Sequence, residues 1–354
     1  MTGQINVKQK DNYFFKKVVL LNFIFCVFVV LIHAESPMRY GLEVEDYPLI
    51  WLMILFCRCA VPSFYFMSGM LFYKACTAIS IKNKIKKRFK TLVVPYILWN
   101  LIFLFLFYIM TRIPSIGSRM NMESFELDVK TVLFSVLNSQ YSPLWFVKNL
   151  IIYTILSPLI FCIIRRRWMG ILLLIIATVS TFVFKFEYMN PLWGFPVYTQ
   201  GALLGYWFYS KDRNLESDAI TRFIPKNLWY ANIGIMCAWF VCIYMAMYVN
   251  YDYMTLYRYC MPIIIWVLTD LLLNGFISNR FEIQNWMKCT FFIYCTHYFV
   301  LNIMHKLLTR TFEPTAIAIY AISFITPIIT IFILIYTAKK ARNNKVYKIL
   351  TGGR

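Results

Sequence analysis

Acidic residues are scarce: 16 Asp and Glu stand against 36 Lys and Arg in 354 residues. Charged residues of both signs make up 15% of the chain, where a soluble domain carries about 25%, so a water-soluble fold with a solvated charged surface is excluded. Histidine occurs three times, and imidazole chemistry is confined to His33, His297 or His305. There is no Gly-rich phosphate loop, internal repeat or low-complexity tract, which leaves no sign of a nucleotide-loop enzyme or a repeat scaffold. No small-x-small cleavage site follows the first apolar segment, so that segment reads as a permanent span and not a signal peptide. Ten cysteines are present, but no pair has convincing metal spacing and nearly all fall in apolar stretches. They read as small apolar free thiols, and no metal is expected.

What is abundant is apolar. Hydrophobic residues are 60% of the chain and aromatics 19%, arranged in stretches each about the 20 residues needed to cross a bilayer. The pattern predicts an all-α, polytopic membrane bundle of about ten transmembrane helices, near 13–33, 49–73, 91–111, 143–164, 168–186, 191–209, 228–250, 257–277, 289–309 and 315–337. It reads as one domain over 1–354, with a core of 13–337 and short tails 1–12 and 338–354. With both termini cytoplasmic, 26 of the 36 Lys and Arg fall on the inner side and ten of the 16 acids outside, as the positive-inside rule requires. The net charge of +20 is therefore a topology signal, and nucleic acid is not an expected partner. The runs KNKIKKRFK (82–90) and IIRRRW (163–168) also suit anionic lipid headgroups. The longest non-spanning stretch, 112–142, reads as outer, its second half a short helix on the outer mouth. GALLG (201–205) has the small-xxx-small spacing of close helix packing.

Polar groups inside spans are costly and are the default functional candidates. His33 ends the first span. Arg58 lies in the second, about nine residues or ~14 Å below the outer surface, with Ser68 and Gly69 deeper. Trp145, Lys148 and Asn149 enter the fourth, Asp270 sits low in the eighth, and His297 is mid-span in the ninth. Two imidazoles and two cations thus share the outer half of one bundle. Acyl transfer to a hydroxyl uses such a set: imidazole takes the hydroxyl proton, and positive charge meets the developing oxyanion. Simpler readings stand beside these. His33 and His305 also fit interfacial residues, Lys148 a snorkelling side chain, Asp270 a paired polar group, and Pro62 a helix kink.

The residues then form a pattern. FCRCAVPSFYFMSGMLFY (56–73) resembles the Arg-x-x-x-Pro-x-Phe-Phe-x-Ser-Gly-Phe element of the acyltransferase 3 family of integral membrane O-acyltransferases. Arg58, Pro62 and Ser68-Gly69 hold the motif positions. VVLIH resembles the family's first-span histidine, at His33. KKRFKTLVVPYILWN resembles its Arg-x-x-Arg-x-x-x-Pro-tyrosine element, Arg88 to Tyr96. SPLWFVKNL resembles its Leu-Trp-Phe-Leu element, YTQGALLGY its glycine-bearing sixth span, and FIYCTHYFVL its late histidine segment, Tyr294 to His297. The likeness runs over about 13–337. One departure stands out: Asn22 and Val19 occupy places where the family has an arginine and an aspartate, and Lys16 and Lys17 are the nearest cations on that helix.

The resemblance implies O-acylation, most often O-acetylation, of a sugar hydroxyl on an envelope polysaccharide or its lipid-linked precursor, in the cytoplasmic membrane of a bacterium. Acyl-CoA would be the co-substrate, with no bound cofactor. His33 would be the base or relay, with His297 and Arg58 completing the catalytic set. Lys148, Trp145, Ser68 and Asn22 would meet substrate, and Arg88 and Lys87 the donor. Expected partners are lipids, the donor and a glycan or glycolipid acceptor; a homo-oligomer stays open. The competing reading is a transporter or flippase of a lipid-linked sugar, against which stands the lack of paired inverted repeats or broken-helix pairs.

Overall fold

The computed structural model describes residues 7–113, 125–139, 143–209, 253–275 and 282–353, with isolated positions between 237 and 248; the side chains of 7–13, 253, 267 and 270–275 are excepted. The seventh expected span, 228–250, lies largely outside the described residues, as do the first part of the 112–142 segment and the Asp270 side chain.

No strand occurs among the described residues. Helices run α1 (Val7–Ile32), α2 (Ser36–Arg39), α3 (Pro48–Cys57), α4 (Ala60–Tyr73), α5 (Ala78–Arg88), α6 (Val94–Arg112), α7 (Val129–Asn138), α8 (Trp145–Ile164), α9 (Arg167–Phe184), α10 (Pro191–Phe208), α11 (Tyr253–Gly275), α12 (Thr290–Thr311), α13 (Ala316–Ala341) and α14 (Lys345–Leu350). Their starts are written locally. Thr77 and Ser80 form a capping box for α5. Asp128, Asn190, Thr315 and Asn344 accept backbone N–H groups at the starts of α7, α10, α13 and α14, supplying the acceptors that first turns need.

Among the described residues, five segments are long and apolar enough to cross a membrane: Phe14–Arg39, Pro48–Tyr73, Ala78–Arg112, Arg167–Phe184 and Ala316–Ala341. The two parts of α8, bent by 60° about Leu156, make a sixth if counted as one span. α10 and α12 are as long but less apolar: α10 carries three glycines, Pro196 and Gln200, and α12 carries His297, Asn302, His305 and Lys306. Those polar positions lower the mean hydropathy of helices that hold candidate residues.

Prolines shape the spans. The 48–73 span is broken between Cys57 and Ala60, four residues before the position of Pro62, because a proline ring clashes with the carbonyl of residue i−4, here Arg58. The break frees the Phe56 carbonyl, which accepts the Tyr257 hydroxyl from α11 at 2.6 Å. Pro158 bends α8 by the same route, and the Ser157 carbonyl accepts the Tyr73 hydroxyl at 3.1 Å. A π-turn, Phe89–Val93, joins α5 to α6, so the basic run 82–90 is helical and continuous with the span that follows it.

The GALLG spacing does what small residues allow. α4 and α10 touch backbone to backbone: a Cβ on Gly201 would lie 1.9 Å from the Phe66 carbonyl oxygen, one on Gly205 2.3 Å from that of Met70, and one on Gly69 2.2 Å from that of Tyr198.

The short helix expected in the second half of 112–142 exists as α7, but not as a cap on the far end of α6. The Tyr96 hydroxyl, near the start of α6, bonds to the Val136 carbonyl and lies 2.7 Å from Ser139 Oγ. The Tyr294 hydroxyl donates to the Pro143 carbonyl at 2.5 Å. The segment therefore folds back along α6 towards its basic end. Val129, Leu133, Phe134 and Leu137 stay exposed.

Candidate active site

α1 and α12 run parallel and in register, and the register brings the histidines together. Cys26 Sγ donates to the Thr290 carbonyl at 3.4 Å. One heptad further along both helices, the rings of His33 and His297 meet with centroids 5.4 Å apart and planes inclined by 34°. Tyr298 stands edge-on to His33 at 5.2 Å.

His297 is buried, and its tautomer follows from its neighbours. Nδ1 lies 2.7 Å from the Tyr294 carbonyl and 3.2 Å from that of Ile293. Carbonyls only accept, so Nδ1 carries the hydrogen, and the lone pair is on Nε2. That nitrogen is buried and has no hydrogen-bond partner among the described residues. Buried polar atoms are nearly always paired, and an exception calls for a reason. A neutral imidazole held by one nitrogen with the other bare is arranged as a proton acceptor.

Arg58 lies at the α3–α4 break. Its guanidinium sits 5.4 Å from the Trp51 ring and within electrostatic range of Glu35, Glu45, Tyr188 and Arg258. Tyr188 interacts in turn with Tyr298 and Glu35, and its ring is 5.3 Å from Trp145. Burial pushes the Tyr188 hydroxyl above its usual range, which keeps it a protonated donor. His297, His33 and Tyr298 are thus in ring contact, and Tyr188, Arg58 and Glu35 lie within electrostatic range of one another, with Tyr188 also in range of Tyr298.

A second cluster lies at the basic end. A cavity of about 700 Å³ is lined by Asn22, Ser68, Lys84, Lys87, Arg88, Lys288 and Tyr294, with apolar walls from Phe64, Phe72, Phe146 and Leu150. The size suits a small-molecule site, for which 300–1,000 Å³ is usual. Among the described residues its lining holds four cations and no acid. Lys84 is partly committed, because its ammonium donates to the Phe72 and Lys74 carbonyls at 2.6 and 2.7 Å and closes the end of α4. Ser68 and Gly69 divide their work by helical geometry: successive residues point about 100° apart, so Ser68 faces the cavity while Gly69 faces α10.

Of the expected residues, Asn22, Ser68, Lys87 and Arg88 share the basic cavity. His33 and His297 pair outside its lining, with Arg58 and Trp145 linked to them through Tyr188. Tyr294 belongs to both groups: it lines the cavity, and its ring centroid is 6.0 Å from that of His297. Lys148 is half-buried and lines neither group's described contacts. Lys17, one of the two cations nearest Asn22 on α1, is fully buried with its ammonium 3.8 Å from the Trp266 ring, and neither it nor Lys16 lines the cavity. His305 is buried. Lys288, Glu35, Arg258, Tyr188 and Tyr298 were not singled out by sequence. The charge map reads Arg258 as an outer-loop cation, and Lys288 as one of many topology charges.

Asn149, next to Lys148, is structural. Its amide donates to the Tyr65 hydroxyl at 2.9 Å and to the Met189 carbonyl at 3.1 Å, while its own Oδ1 is buried without a partner. Asn149→Leu strands the buried Tyr65 hydroxyl but removes the buried Oδ1. We expect a loss of about 1 kcal/mol, the low end for such changes, read as a lower thermal midpoint in detergent; an unchanged midpoint would show that the amide does not tie α8 to α4.

The acyltransferase 3 family, described as an acyltransferase domain, matches residues 18–336. The chain belongs to this family. As a member it is a membrane acyltransferase, and the matched region takes in the paired histidines, Arg58 and most of the cavity lining. No curated protein and no solved structure matches the chain.

Proposed function

We propose that this acyltransferase moves an acyl group, most often acetyl, from acyl-CoA to a hydroxyl of an envelope polysaccharide or its lipid-linked precursor in the cytoplasmic membrane of a bacterium. In this reading ten helices span the membrane with both termini cytoplasmic. The observation that carries it is His297, whose Nδ1–H is donated to backbone while Nε2 is bare, beside the His33 ring.

The donor's phosphates rest among Lys87, Arg88 and Lys288, drawn in by the concentrated positive charge. Its acyl arm extends along Asn22 and Ser68 towards Tyr294. At the far side an acceptor hydroxyl gives its proton to an imidazole of the His33–His297 pair as its oxygen attacks the thioester carbonyl. Arg58 stabilises the negative charge that develops on the oxygen. Collapse of the tetrahedral species breaks the carbon–sulfur bond, and the thiolate leaves and takes up the proton. Trp145, beside Tyr188, is assigned to the acceptor together with Lys148 on the same helix.

Glycan analysis of a deletion strain tests this function. Loss of O-acyl groups with the polymer retained is the expected result. Loss of the polymer itself would contradict it and point to transport of a lipid-linked sugar. Restoring the strain with Arg58→Ala is expected to leave the glycan unacylated although the protein reaches the membrane.

A further inference from the structure

The basic cavity has a wall that the family match does not cover. The match ends at residue 336, yet Gly352 and Gly353 line the cavity. They are brought there by α14, which is firmly seated. The Trp99 indole N–H donates to the Leu350 carbonyl at 3.0 Å, and the Tyr347 ring packs on Phe292 with centroids 5.4 Å apart. The helix then closes in a left-handed turn, with φ of +64° at Gly352 and +75° at Gly353. Their N–H groups return to the Ile349 and Lys348 carbonyls at 3.1 and 2.7 Å, the usual helix-ending pattern.

The two glycines differ in what surrounds them. A Cβ at Gly352 would lie 2.7 Å from the Thr91 carbonyl oxygen and 2.8 Å from Thr91 Cα, so the turn is pressed onto the π-turn that follows Arg88. A Cβ at Gly353 would meet nothing within 4 Å. The last turn is thus fixed on one side and leaves space on the other, in a cavity whose cations come from α5 and from Lys288.

We propose that this C-terminal turn is part of the donor-binding site, with the phosphates of a nucleotide thioester passing beside Gly353. The proposal rests on the reading of the basic cavity as the donor site. Gly352 and Gly353 supply no charge; they supply a close backbone wall and an absence of side chain where a bulky polyanion needs room. A tail that merely covered apolar surface near Phe292 would be indifferent to charge at position 353.

An isosteric pair makes the test. Asn and Asp both tolerate the left-handed conformation, so Gly353→Asn and Gly353→Asp carry the same backbone strain and bulk and differ only in charge. Coenzyme A binding to the full-length protein in nanodiscs is the readout. Gly353→Asp is expected to bind about tenfold more weakly than Gly353→Asn, as one added charge close to a polyanion implies at intermediate dielectric, and the gap should shrink in high salt. Equal affinities in the two variants, with Lys87→Gln still weakening binding, would overturn this proposal and leave the donor site standing. Failure of coenzyme A to bind the wild-type protein would overturn both.

Discussion

Replacing His297 with glutamine is expected to lower acyl transfer by about a hundred- to ten-thousandfold, the usual contribution of a positioned general base. Glutamine fills similar space and keeps an N–H for the Tyr294 carbonyl, so the local helix and the packing against Tyr294 should survive. It cannot take a proton. Because His297 does not line the basic cavity, coenzyme A affinity should stay at the wild-type value while turnover falls. His33→Gln is the partner variant. If His33 relays the proton and His297 accepts it, both lose turnover, and the double variant loses little more than either, since residues that act as a unit are not additive. Wild-type transfer in both His297→Gln and His33→Gln, measured with labelled acetyl-CoA, would remove the imidazole pair from the mechanism.

The largest structural effect is expected at Gly201. Gly201→Ala places a methyl group 1.9 Å from the Phe66 carbonyl oxygen, 2.7 Å from its carbon and 3.0 Å from the Met70 nitrogen. All three are backbone atoms of a helix and cannot turn aside as a side chain can. α4 and α10 would have to separate, loosening the contacts at Gly69 and Gly205 on the same seam. Overpacking costs about 1–3 kcal/mol where neighbours adjust; here we expect roughly 3 kcal/mol or more and a collapse in the yield of folded protein. Gly170→Ala is the internal comparison. Its new Cβ meets the ends of Leu203 and Trp207 at 2.6 and 3.0 Å, which can rotate, so its loss should be about 1 kcal/mol. Equal thermal midpoints for the two variants would show that the α4–α10 contact is not the rigid seam described.

Much of this architecture is legible in the residues themselves. Apolar stretches of span length appear as helices, GALLG packs through its glycines, and the charge map puts His33 and His297 in one part of the bundle before any contact is known. What periodicity and charge do not carry is depth and long-range pairing. The position of α7 depends on Tyr96 and Tyr294 reaching carbonyls 40 and 151 residues away. Pro62 announces a kink, but the break falls at Arg58 because the clash is with the carbonyl four residues earlier. Arg258 and Lys288 look like topology charges until folding places one near Arg58 and the other on the cavity wall. Gly352 and Gly353 have no local signal of a site at all, since their role depends on α14 docking against α6 and α12.

The central claim is a division of labour: cations at the basic end hold the donor, and the histidine pair with Arg58 carries out the transfer. Coenzyme A affinity and labelled acetyl turnover, measured side by side on the same nanodisc preparations, test it most directly. The account predicts that Lys87→Gln and Arg88→Gln raise the dissociation constant, more so at low salt, and that His33→Ala, His297→Gln and Arg58→Ala keep wild-type affinity while turnover falls by about a hundredfold or more. Turnover equal to wild type in His33→Ala and Arg58→Ala would contradict it.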